Sequence, residues 1–354
     1  MIDQIQPADV NGRLINGRRA YKILLVFLLM ACLFSISVGP VDISFWTVTQ
    51  KLAAGQSLNT LERVVFFDIR LPRMVMGVCV GAALGVSGAV MQGLFRNPLA
   101  DPGLIGVGAG SGLGAIVAIV LGGSLPSLFI DFFGNYIVIF SAFLGGWLST
   151  LILYQLATRN GQTSVATMLL AGIALGALAG AISGILIYIA DDKQLRDLTF
   201  WGLGSLAGAS WSKIMGAAPL ILFSVAIATT LGRGLNGLAL GEATASHIGI
   251  STQRLKNIAI FTVAAATGAA VAVSGGIGFV GIIVPHLLRQ TIGPDHRTLI
   301  LNSGLLGAII LIFADMISRI IVPPSELPIG ILTAILGAPV FLWILLTQRN
   351  AENW

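Results

Sequence analysis

The chain has 354 residues, 56% of them hydrophobic and only 10% charged, with a mean hydropathy of +0.92. A soluble domain carries about 25% charged residues, so this composition excludes a water-soluble globular protein and predicts an all-α integral membrane protein folded as one unit. The net charge of +5 describes no nucleic-acid surface, because the basic residues are scattered over short loops without a stripe or interleaved aromatics.

Residues 1–20 read as a polar N-terminal segment. Apolar windows of about 20 residues then predict about ten spans, near 21–41, 70–92, 103–123, 135–157, 166–190, 213–231, 257–274, 277–292, 299–318 and 328–347. The first is expected to be retained, since nine more follow and no small-residue cleavage pattern stands out. Residues 21–348 form a single transmembrane domain, and 349–354 are left as a short tail.

In the second span Gly77, Gly81 and Gly85 recur every fourth residue, as do Gly172, Gly176, Gly180 and Gly184 in the fifth. Such faces let helix backbones approach closely where lipid supplies no hydrophobic drive. Cys32 and Cys79 both sit in apolar runs, so neither a disulfide framework nor a Cys/His metal site is available. Between spans two and three, "RNPLADPG" (96–103) is a sharp turn with Asp101 placed to cap the next helix.

The segment "LALGEATASHIGISTQRLKN" (238–257) is compact and polar between two spans. Gly241 and Gly249 bracket a run of helix formers, Glu242 falls in its first turn, and Ser251 stands where the next helix starts. From the residues alone it is either an interfacial loop or a short helix that needs something to dock against.

Further on, "GIGFVG" (276–281) fits the dinucleotide spelling but follows no strand and opens no βαβ unit, so that reading is rejected. His247, His286 and His296 are too dispersed to form a ligand set and read as solvated loop residues. Asp315, the one carboxylate deep in a span, has Arg319 four residues on, the spacing of a helical ion pair; an intramembrane carboxylate is also the mark of ion coupling. In "SELPIG" (325–330), Pro323 and Pro324 precede a helix start at Ser325 to Pro328. No G-x-x-x-x-G-K-[ST] occurs, so any nucleotide that drives this chain must be held by another subunit.

With the N-terminus inside, the 20 Lys and Arg split 12 and 8 between the inner and outer sides, and the 15 Asp and Glu split 6 and 9. Those signs follow the positive-inside rule. Arg70, Arg73 and Arg319 remain on the outer side and need another explanation. "GAALGVSG" (81–88) and "GAAVAVSG" (268–275) agree at six of eight positions, and Pro98 matches Pro285 at the same offset. Five span ends lie between the copies, so they run in opposite directions, as in inverted-repeat transporters.

Taken in order, "RLPR", "SGAVMQGLFRNPLADPGLIGV", "FWGLGSL", "LGEATASHIGI", "GFVGIIVPHLLR", "GPDHR" and "ELPIGILTAILGAPVFLWIL" resemble the FecCD-type permeases, the membrane subunits of ABC importers for vitamin B12, haem and ferric siderophores. The resemblance spans about residues 20 to 348, and "GLFRNPLADPGLIGV" with "FWGLGSLAGASW" is most similar to the haem-transporting branch. It implies a ten-helix subunit of a bacterial inner membrane, both termini cytoplasmic, forming a homodimer with the substrate path between the copies. It also implies two cytoplasmic ATPase subunits, a periplasmic binding protein, and no cofactor or catalytic centre in this chain.

By motif, 238–250 resembles the coupling helices that enter a groove of the ATPase, with Gly241, Glu242, Ala245, His247 and Ile248 at that contact. Arg70, Arg73 and Arg319 match arginines that face acidic residues of the binding protein, where charge complementarity steers docking. "NGQTSVAT" resembles the cytoplasmic gate region, with Thr163 and Ser164 as candidates, at a spacing that departs from the vitamin B12 version. Two other classes frame these expectations. An ion-coupled secondary transporter shares ten spans and an inverted repeat, whereas a membrane-embedded enzyme would need an acid-base pair, triad or HExxH that the sequence lacks.

Overall fold

The computed structural model describes residues 7–39, 41, 43–124, 134–159, 162–322 and 325–351. The outermost tail residues and Pro323-Pro324 lie outside the described residues. The helices are α1 Pro7–Ser37, α2 Phe45–Ala53, α3 Thr60–Arg63, α4 Leu71–Phe95, α5 Val107–Leu121, α6 Ile137–Ala157, α7 Val165–Ile189, α8 Asp192–Leu203, α9 Trp211–Thr230, α10 Gly232–Ala239, α11 Glu242–His247, α12 Thr252–Ser274, α13 Val280–Ile292, α14 His296–Ile320 and α15 Ile329–Ala351. A two-residue hairpin, β1 Thr158–Arg159 with β2 Gln162–Thr163, joins α6 to α7.

Among the described residues eight helices are long and apolar enough to cross a membrane, and the shorter apolar helices Val280–Ile292 and Ile329–Ile344 coincide with the predicted eighth and tenth spans. Helix α3 opens the Thr60–Phe95 span, and outside the spans lie α2, α10, α11 and α8. The last begins with a capping box in which Asp191 and Gln194 exchange side-chain to backbone bonds, satisfying amides that would otherwise be orphaned. Before α4 the helix widens into a π-helical stretch, Val64–Arg70. Pro72, in the next turn, lacks the amide that would continue the α-helical ladder, which fits the local change in winding.

The interior is built on α4, α12 and α14, whose apolar windows are 72%, 78% and 67% buried, against 22% for α1 and 6% for α7. Small residues make this packing possible. A Cβ at Gly81 would collide with the Gly307 carbonyl, one at Gly85 with the Ser303 carbonyl, and one at Gly88 with the Gly281 carbonyl. The backbones of α4, α13 and α14 are therefore in direct contact at levels where any larger residue would separate them. Gln92 continues the α4–α13 seam, donating to the carbonyl oxygens of Gly281 and Ile282 at 3.3 and 3.1 Å and accepting from Arg289.

The glycines of the fifth span behave differently from expectation. Around Gly176, Gly180 and Gly184 no atom of another element among the described residues lies within 4 Å of where a Cβ would stand. Their face of α7 is not packed against any of the described residues. The turn after α4 is as read from the sequence: Arg96 is left-handed, and Asp101 accepts from the Gly103 amide at 2.8 Å to cap the short turn Pro102–Ile105. Ser251 stands at the N-cap of α12 but makes no side-chain capping bond.

Candidate functional site

Residues 232–250 form a helical knuckle at the end of the bundle. Gly241 and Gly249, at φ 102° and 85°, take backbone angles that side chains resist, and between them α11 makes less than two turns. A helix this short has no stability of its own, and its support comes from below. Ala245 is fully buried, and Ile250 donates its amide to the Ala245 carbonyl at 3.0 Å. Of the five residues expected at an ATPase contact, Ala245 thus faces inward as the anchor. Glu242, His247 and Ile248 are exposed and Gly241 half-buried, and Leu240, also exposed, joins them.

The preceding helix is tied down as firmly. Asn236 of α10 donates to Asp295 Oδ1 at 2.7 Å and accepts from the His296 amide at 2.9 Å. Burial pushes the Asp295 carboxyl up, but hydrogen bonds from Arg297 and Asn236 outweigh it and hold the pKa at about 2. It is ionised at neutral pH and serves as a fixed acceptor. His296, expected as a solvated loop residue, is buried against Asn236.

The same knuckle is bonded to the hairpin that carries the gate candidates. Lys256, 4% exposed, places Nζ 2.8 Å from Glu242 Oε2 and 2.9 Å from the Thr163 carbonyl oxygen. Gln253, one turn earlier on α12, donates to Thr163 Oγ1 at 2.7 Å and accepts from the Thr163 amide at 2.9 Å. It also donates to Asn257 Oδ1 at 2.8 Å, which accepts from the Tyr154 hydroxyl at 2.9 Å. Thr163 is buried, and Ser164 caps α7 by accepting from the Thr167 amide at 3.2 Å. Two groups of residues far apart in sequence, 241–248 and 163–164, are thereby joined through Lys256. Gln253, Lys256 and Asn257 were not among the predicted site residues; their spacing of three and four places them on one face of α12, a signal visible in the sequence.

At the opposite end Arg70, Arg73 and Arg319 are 3%, 4% and 3% exposed. The exposed docking charges expected there are instead buried among internal partners. Arg70 donates to the carbonyl oxygens of Ile36, Val41 and Ile43 at 2.9, 2.6 and 2.8 Å. Arg319 donates to those of Ser35 and Val38 at 3.0 and 3.2 Å and pairs with Asp315. Ser35 and Ile36 lie in the last turn of α1, where carbonyls have no intrahelical donor and the helix dipole favours positive charge. Arg73 bridges Asp315 at 2.8 Å and Glu326 at 2.7 Å. The Asp315–Arg319 pairing is the helical ion pair that the spacing allowed, extended into a cluster.

A model of the FecCD transport family matches residues 26–347. The chain belongs to that family. This FecCD protein is 43% identical over 344 residues to the hemin transport system permease protein of Yersinia pestis, an alignment covering 97% of this chain and 100% of the relative. It is 39% identical over 328 residues to the vitamin B12 import system permease protein of Citrobacter koseri, covering 92% and 94%. A solved inward-facing structure described as a metal-chelate type ABC transporter superposes with a TM-score of 0.81 at 31% identity, covering 93% of this chain and 99% of that one. The FecCD protein is therefore a multi-pass permease subunit of an ABC importer, in a family that works as a dimer with ATPase subunits and a binding protein. As a permease subunit it is not itself an enzyme.

Proposed function

We propose that this permease passes haem, or a closely related iron complex, across the bacterial inner membrane on a path between two copies of itself, with both termini cytoplasmic. The single observation that carries the mechanical part is the buried Lys256, which bonds the exposed helix α11 through Glu242 and the hairpin before α7 through Thr163. An ATPase that moves Leu240, Glu242, His247 and Ile248 pulls on the start of α7 through one buried ammonium. Thr163 and Ser164 then act as the hinge of the inner gate. The unpacked glycine face of α7 supports its role against the second copy.

On the outer side the binding protein docks on a surface whose shape Arg70, Arg73 and Arg319 fix from beneath, with the half-exposed Glu326 held by Arg73. The haem assignment leans on the end-to-end similarity to a hemin permease, and a corrinoid or ferric siderophore is the alternative cargo. Reconstitution into vesicles with the partner ATPase and binding protein tests it. Hemin uptake that needs ATP and exceeds cobalamin uptake is the expected result. Uptake of cobalamin in preference reassigns the cargo, and uptake on an ion gradient without ATPase defeats the reading.

A further inference from the structure

A cleft of about 480 Å³ opens between α1, α10 and α14. Four cationic side chains line it: Arg18 and Lys22 on α1, Arg233 on α10 and Arg297 on α14. Among the described residues only Arg297 has a carboxylate partner, Asp295 at 2.6 Å. Arg18 and Lys22 share one face of α1 at a spacing of four, where like charges repel, and Arg233 adds a third charge from a separate helix. Nothing in the fold requires such convergence, whereas an anion seated there removes its cost.

A second observation is independent of charge. Asn302, also lining the cleft, is 1% exposed. Its amide nitrogen donates to the carbonyl oxygens of Gly17 and Thr298 at 3.1 and 2.8 Å, which fixes the orientation of the amide. The Oδ1 atom is buried without a partner, an orphaned acceptor in a site otherwise furnished with donors. Buried acceptors of this kind are rare and call for a donor.

The depth of the cleft identifies the medium. The apolar stretches of α1 and α14 begin at Asn16 and His296, so the four cations stand at the level of lipid headgroups. Beyond them α1 exposes Ile23, Val26, Phe27 and Met30, and α14 exposes Leu301, an apolar track on which acyl chains can lie. Tyr21 stands at the boundary, as interfacial aromatics do.

We propose that this cleft binds the headgroup of an anionic phospholipid of the phosphatidylglycerol class: the phosphate sits among Arg18, Lys22 and Arg233, and a glycerol hydroxyl donates to Asn302 Oδ1, buried beneath the cleft wall, as the wall parts to admit it. Basic pockets between transmembrane helices bind anionic headgroups in this way. A phosphatidylethanolamine headgroup has a donor for Asn302 but brings an ammonium into three cations, and phosphatidylcholine has no donor. Because α10 leads directly into the coupling helix α11, the bound lipid braces the base of the knuckle. The inference uses the membrane placement of the chain and is independent of the cargo.

The test is native mass spectrometry of the purified permease–ATPase complex, titrated with phosphatidylglycerol or phosphatidylethanolamine, beside the double variant Lys22→Gln/Arg233→Gln. Arg233 is exposed and both side chains lack ion-pair partners among the described residues, so the fold should persist; an unchanged melting profile checks this. Phosphatidylglycerol should bind about tenfold or more tighter than phosphatidylethanolamine to the parent complex, and this preference should vanish in the variant. Asn302→Asp, which keeps the side-chain shape and adds a negative charge, should lose it as well. Equal affinity for the two lipids, or a preference that survives both variants, overturns the site. Displacement of the lipid by millimolar inorganic phosphate makes it a free-phosphate site and overturns the lipid assignment. Loss of the ATPase with lipid retained makes the cations a protein contact and likewise overturns it. Hemin uptake by the parent complex is read separately, so a failed lipid preference with intact uptake sinks only this inference.

Discussion

The ammonium of Lys256 bonds the Glu242 carboxylate at 2.8 Å, joining an exposed six-residue helix to a buried position on α12. The same ammonium holds the Thr163 carbonyl, so removing it frees α11 and orphans a backbone acceptor in the hairpin before α7. A hydrogen bond to a charged group contributes about 1.5–3 kcal/mol. Lys256→Met, which keeps most of the stem, should therefore leave the ATPase bound and hydrolysing while substrate uptake per ATP falls by about tenfold or more. Uptake and phosphate release measured on the same vesicles give that ratio. An unchanged ratio removes Lys256 from the transmission path.

Ala245 and Ile248 sit three residues apart on the knuckle and have opposite exposure, fully buried against 59% exposed. Ile248→Asp should leave the permease folded and detach the ATPase, read by co-purification. Ala245→Leu should disturb the permease itself, since overpacking costs about 1–3 kcal/mol, and its melting temperature should drop before any partner is added. Equal behaviour of the two variants would mean that the knuckle turns a different face outward.

Arg319 is paired with Asp315 and also closes the last carbonyls of α1. Arg73 still neutralises Asp315 when Arg319 is removed, but the carbonyl oxygens of Ser35 and Val38 lose their donor, at about 1–3 kcal/mol each. Arg319→Ala should accordingly lower permease stability by that order, and adding Asp315→Asn should lower it further. The second change takes from the buried Arg73 one of its two carboxylate partners, so no recovery is expected. A single variant as stable as the parent would return Arg319 to the role of a surface charge.

The ten spans were legible because hydropathy is a local property, and α4, α12 and α14 each announce themselves within one window. The knuckle was legible through Gly241 and Gly249, whose backbone angles few other residues tolerate. Its connection to Thr163 was not, because Lys256 reaches across 93 residues of sequence and no local pattern encodes that contact. Arg70, Arg73 and Arg319 were misplaced for a related reason. Charge counting reports which side of the membrane an arginine occupies, and whether it faces water or the end of a neighbouring helix depends on where α1 stops. Helix α8 escapes a hydropathy reading because it is polar and short, although Asp191 and Gln194 at capping-box spacing mark its start.

Glycine spacing alone could not separate contacts within the chain from contacts beyond it, and the two faces now make opposite predictions. On α4 a side chain at Gly88 would run into the Gly281 backbone, whereas at Gly180 on α7 it meets open space. Gly88→Leu should force α4 and α13 apart and prevent folded permease from accumulating, since neither backbone can yield without unpacking the interior. Gly180→Leu should leave the subunit folded and instead disturb whatever covers α7, which in this proposal is the second copy. Size-exclusion chromatography with light scattering separates the cases: a stable, monomeric Gly180→Leu protein is expected. If it remains a dimer with parental stability and uptake, α7 faces lipid through its glycines, and the substrate path must be sought on another face.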